Sequence, residues 1–150
     1  MAQLSITRRP SASARRFGYV IAVVINAVLL WLIHGRLGWD AVPFLTPEIT
    51  QVLGAVDASL AVAIAVNVVQ LGWDPRWLVT AGSLVTTAFG LRAMVRMLQV
   101  FPFDFGGGSA AWETVARVLL ILGIVGTAIA LLVQLVQLIG LLRLRGAGTR

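Results

Sequence analysis

The sequence predicts an all-α membrane protein: four transmembrane helices in an antiparallel up-down bundle, with both termini cytoplasmic. Three observations predict this. First, 59% of the 150 residues are hydrophobic and only 12% charged, with a mean hydropathy of +0.92, whereas charge in a soluble domain runs near a quarter. Second, the apolar residues fall into four runs, each long enough to cross a hydrocarbon core of about 30 Å. Third, Arg8, Arg9, Arg15, Arg16, Arg76, Arg143, Arg145 and Arg150 gather on the side of the two chain ends, against Arg36 alone in the opposite loops. That asymmetry places the arginine-rich side in the cytoplasm.

The elements follow in order. Residues 1–16 form a polar, cytoplasmic lead-in with four arginines. The first span covers about 17–34, and the residues that follow its apolar run Phe17 to Ile33, namely His34, Gly35, Arg36 and Leu37, are not a small-x-small cleavage site, so the span is read as uncleaved. Gly35 and Gly38 end the helix, and Trp39 with Asp40 suits the membrane interface. Thr46, Pro47 and Glu48 then give the second helix a cap, a first-position proline and an acid for its dipole. This span, about 47–71, carries Asp57 and Asn67.

Leu71, Gly72, Trp73 and Asp74 repeat the wording of Leu37, Gly38, Trp39 and Asp40 on the opposite side of the membrane. Glycine stops, interfacial tryptophans and aspartate caps explain the repeat without a duplication. Asp74 and Pro75 start the third span, about 75–100, and the short connection makes spans two and three antiparallel neighbours. Phe101, Pro102, Phe103, Asp104 and Phe105 end it. Gly106, Gly107 and Gly108 form a link, with Ser109 as the expected cap of a final helix over about 110–144. At 1.5 Å per residue that helix is roughly 50 Å long and must tilt or protrude. Residues 17–145 thus form one four-helix domain, followed by a short tail, 146–150.

Residues 88–99 place Arg92 and Arg96 inside a membrane span, where an ionisable side chain is costly without a partner. Counting down the helices from their outer ends puts Asn26, Asp57 and Arg92 at a common depth of roughly 12 to 15 Å. Arg96 and Arg117 come about one turn higher, with Glu113 and Gln99 at the boundary. The expected pairings are Asp57 with Arg92, Asn26 adding a hydrogen bond, and Glu113 with Arg96 or Arg117. Three arginines then face two acids, and water, Asp104 or a lipid phosphate takes the remainder. Such a layer either fixes helix register or handles an anion or proton in an outward-facing cavity.

Small residues at four-residue steps predict close helix approach: Gly54, Ala58, Ala61 and Ala65 on span two, Gly82, Thr86 and Gly90 on span three, Gly126 and Ala130 on span four. These are more small-residue faces than one bundle uses, which predicts contacts with other subunits.

Several function classes are excluded. The chain has no Cys, which removes disulfides, thiolate metal sites and cysteine nucleophiles. His34 is the only histidine, so neither bis-histidine haem ligation within one chain nor a Ser-His-Asp triad is available. Gly106 to Gly108 lack the Lys-Ser/Thr of a phosphate-binding loop. No metal or cofactor is expected. The arginines flank helices as topology signals and headgroup contacts, which argues against nucleic acid. Small multidrug transporters match in length and span number, but Asn26 stands where their first span carries a glutamate.

All twelve cations are arginine, and with the Ala, Val, Leu and Gly bias this composition points to a GC-rich bacterial genome. Residues 39–46 and 101–105 resemble those of small uncharacterised four-span proteins of actinobacteria, over most of residues 18–140. The resemblance implies the four-span layout and brings no activity or functional residue. The expected function is that of a non-enzymatic inner-membrane protein in contact with lipids, acting as a homo-oligomer or as an accessory subunit of a membrane complex. The alternative is a small transporter or channel that uses the polar layer.

Overall fold

In the computed structural model, residues 10–35, 38–106 and 110–147 are described, with side chains to residue 144. Four helices are long and apolar enough to cross a membrane: α1 (Ala12–His34), α2 (Thr50–Gly72), α3 (Arg76–Val100) and α4 (Ala110–Ala147). A single turn of 3-10 helix, Pro47–Ile49, leads into α2. Arg8, Arg9, Arg36, Gly107, Gly108, Ser109, Arg150 and the side chain of Arg145, each given a role above, lie outside the described residues.

The helix limits depart from the sequence reading where local polar chemistry is stronger than hydropathy. Helix α1 begins at Ala12, inside the expected polar tail, because Ser11 accepts a hydrogen bond from the Ala14 amide at 3.3 Å. Its other end is Gly35, whose N–H donates to the Trp31 carbonyl. One expected cap is absent: Thr46 makes no capping bond to its helix. Pro75 stands at the N-cap of α3. The side chain of Asp74 reaches across the protein to Arg15, with Nε to Oδ2 at 2.7 Å and Nη2 to Oδ1 at 3.4 Å. This paired contact ties the first turn of α1 to the α2–α3 turn. Replacement of Arg15 by Ala is expected to speed amide exchange over the first two turns of α1, an effect that added salt reproduces in the wild type.

The opposite end is held by backbone. The Thr46 N–H donates to the Pro102 carbonyl at 3.0 Å and the Asp104 N–H to the Phe44 carbonyl at 2.9 Å, so the α1–α2 and α3–α4 connections form one short antiparallel bridge between Leu45 and Phe103. Helix α3 ends there because Phe101 takes a left-handed conformation, φ 45°, which a helix cannot continue,. Phe44, Phe103 and Phe105 stack with centroids 5.6 to 6.5 Å apart, and Phe101 meets Phe103 edge-on at 5.3 Å. Beneath this aromatic cap Ile49, Val52 and Pro102 are buried, so the packed core sits at the bridged end.

The helices pack in chain order: α1 on α2, α2 on α3, α3 on α4, and, among the described residues, no other helix pair. The expected bundle is therefore open between α1 and α4, and the four helices stand as a row. A helix in a row is covered only along its neighbours. That accounts for how few apolar side chains are buried among the described residues, Ile49, Val52, Ala55, Ala93 and Pro102, and for α1 having no buried residue at all.

Candidate functional site

The spans bring two ionisable side chains together: His34, in the last turn of α1, and Asp57, two turns into α2. Their Nε2 and Oδ1 atoms are 2.9 Å apart, with half of the histidine side chain and 30% of the aspartate exposed. The Asp57 Oδ1 atom is itself buried and has no aligned hydrogen bond. The contact is an ion pair only when the imidazole is protonated.

Ile33 and Val56, the sequence neighbours of the pair, line an apolar cavity of about 460 Å³. Leu29 and Leu32 of α1, Trp39, Val42 and Leu45 of the connection, and Met97 of α3 share its wall. A histidine–carboxylate pair beside an apolar cavity can hold or pass a proton or attract a cation. Two ligands are too few for a dedicated metal site, and among the described residues no group of three His, Asp or Glu side chains could hold a metal ion.

The expected pairing of Asp57 with Arg92 is not formed. The loop bridge shows why. With Thr46 level with Pro102, Asp57 and Arg92 both lie about 15 Å below it, so their depths agree as expected. Their directions do not: Asp57 points toward α1, and Arg92 stands on an exposed face of α3. Among the described residues Arg92 has neither an ion pair nor a side-chain hydrogen bond.

Asn26 falls outside the layer for another reason. Because the last residue of α1 touches Asp57, Asn26 lies about 12 Å deeper than that contact, and its amide donates to the Ala22 carbonyl of its own helix at 2.7 Å. Helix α1 stops well below the bridge, and residues 38–46 lie between its level and that of the bridge. Glu113 is exposed and meets neither Arg96 nor Arg117. Arg96 reaches Gln99 at 3.5 Å, and Arg117 lies over the Phe101 ring at 3.8 Å. Aromatic stacking thus takes the place that a carboxylate was expected to fill.

The packing residues divide in the same way. Gly82 is buried against α2, where an added Cβ would come within 2.5 Å of Gln70 Nε2 and 2.6 Å of Val66 Cγ1. Thr86 donates to the Gly82 carbonyl at 2.5 Å. Gly54, Gly90 and Gly126 have nothing within 4 Å of where a Cβ would be, so they are not close-approach points within the chain. Ala61 and Ala65 are exposed, while Ala58 and Ala130 are partly covered. Besides Gly82, the buried small residues of the interior are Ala55 and Ala93, which the four-residue spacing missed; at half-buried Gly123 an added Cβ would stand 3.2 Å from Met94 Sδ. Two deeper polar groups satisfy themselves: Asn67 donates to the Ala63 carbonyl and Thr127 to that of Gly123,.

Fold and site together define a class, an all-helical protein whose four apolar helices are of membrane-spanning length. The family models, curated proteins and solved structures compared with the chain yield no match.

Proposed function

We propose that this chain is a non-enzymatic subunit of a larger membrane assembly, built from further copies of itself or from other membrane subunits. The open row of helices carries the reading. Helix α1 is covered on one side only, and α1 and α4 leave their outer faces free. On α2 the exposed Gly54, Ala61 and Ala65 lie along one line, the kind of surface against which a second helix packs closely in lipid. A bacterial inner membrane, with the arginine-rich ends in the cytoplasm, fits the charge asymmetry.

Native mass spectrometry of the detergent-extracted protein tests the proposal. The expected spectrum shows more than one copy or a retained membrane subunit, and an Ala61→Leu, Ala65→Leu protein is expected to lose at least half of that complex while keeping its helicity. A monomer with nothing bound, in every mild detergent tried, would sink the reading.

A second reading, a small transporter or channel, is favoured by the His34–Asp57 pair beside its apolar cavity. It predicts proton or ion flux in reconstituted liposomes that drops at least tenfold in Asp57→Asn; flux equal to that of empty liposomes rejects it.

A further inference from the structure

We propose that Arg92, Arg96 and Gln99 bind the phosphate of an anionic lipid on the uncovered face of α3. The three residues recur at i, i+4 and i+7 and so share one side of the helix, and all three are exposed, as are Val85 and Ala88 below them on the same stripe. This side faces away from both α2 and α4, the neighbours that cover the rest of α3.

Depth matches the ligand. Counted from Val100, Arg96 lies about 6 Å and Arg92 about 12 Å down the helix. The headgroup zone occupies about 5 to 7 Å on each side of the hydrocarbon core, so Arg96 stands within it and Arg92 one turn beneath, where a long side chain reaches upward. The upward direction is visible in Arg96, whose guanidinium is turned toward Gln99. A guanidinium presents paired N–H donors that fit phosphate oxygens two at a time, and the two arginines supply two such forks.

Neither arginine is neutralised within the chain. The acids nearest in level on the long helices are Asp57, which is engaged by His34, and Glu113, which meets neither Arg96 nor Arg117. Asp40, Glu48 and Asp104 belong to the connections and the 3-10 turn above, and among the described residues no carboxylate pairs with Arg92 or Arg96. On a face open to lipid, phosphate is the anion that the surrounding solvent supplies at this depth.

The test uses the full-length protein in a neutral detergent, with lipid retention read by native mass spectrometry. Phosphatidylglycerol is expected to be retained about tenfold or more over phosphatidylcholine. The preference is expected to vanish in R92Q/R96Q and to persist in part in R92K/R96K, which keeps the charge but not the fork. Millimolar inorganic phosphate is expected to leave the bound lipid in place. Equal retention of the two lipids by the wild type overturns the proposal even if the glutamine variant does not fold. A folded R92Q/R96Q protein that keeps the preference overturns it as well, and displacement by inorganic phosphate would assign the site to free anions. Copy number, read from the same spectra, reports on assembly separately.

Discussion

Gly82→Val is expected to destabilise the protein by about 2 to 3 kcal/mol, seen as a lower unfolding temperature in detergent. The Cβ alone would stand 2.6 Å from Val66 Cγ1 and 2.5 Å from Gln70 Nε2. The Gln70 amide ends a flexible side chain and can move. Val66 is stiff at χ1 and on a helix has one strongly preferred rotamer, so relief has to come from α2 and α3 moving apart. Valine adds two further carbons at the same crowded point. Alanine is the milder case: its gain of about 1 kcal/mol in helix propensity offsets part of an overpacking cost of about 1 to 3 kcal/mol. Gly90→Ala is the control, since nothing lies within 4 Å of where its Cβ would stand; it is expected to leave the unfolding temperature unchanged or raise it slightly. Equal losses at positions 90 and 82 would show that glycine matters here for backbone freedom and not for packing.

The second large effect is expected at the aromatic cap. Phe103 touches Phe44, Phe101 and Phe105, and each such pair contributes about 0.5 to 1.5 kcal/mol beyond its buried area. Phe103→Ala is therefore expected to cost about 2 to 4 kcal/mol of local stability. The readout is amide exchange at Thr46 and Asp104, the two donors of the loop bridge. Both are expected to exchange at least tenfold faster, while amides in the middle of α2 and α3 keep their protection. If Thr46 and Asp104 hold their protection in the variant, the backbone bridge is self-sufficient and the stacked rings are incidental. If the whole of α2 and α3 loosens together, the cap and the helices unfold as one unit.

These two sites differ in how far the sequence announced them. Gly82 stands at four-residue spacing from Thr86 and Gly90, and the pattern marks the stripe, but spacing alone cannot say that position 82 meets Gln70 while position 90 meets nothing. The phenylalanines of residues 101–105 suit an interface by composition. Their stack with Phe44 joins connections more than 50 residues apart in the chain, and no local pattern encodes that.

The His34–Asp57 contact was hidden for a related reason. Depth counted from each helix end assumes that all helices end at one level, and α1 ends lower than the start of α2. In the sequence His34 stands out only as the single histidine, and its position in the last turn of α1 is the one local signal of the contact. The Arg15–Asp74 pair was similarly masked, because both residues already had sufficient local explanations, one as a topology signal and the other as a cap.

By itself, then, the sequence determined the quantities that depend on composition and on rise per residue. These are the number of membrane-length helices, their approximate limits, the shared depth of Asp57 and Arg92, and the excess of arginine over acid. Tertiary structure alone decided the direction in which each side chain points around its helix and which helices touch. A residue's depth follows from counting along one helix. Its direction depends on how that helix is rotated against its neighbours, which is set by contacts summed over the whole packed face, among them Gly82 on Gln70 and Met94 on Gly123. That rotation turned Asp57 to His34, left Arg92 and Arg96 on an open face, and set the four helices in a row.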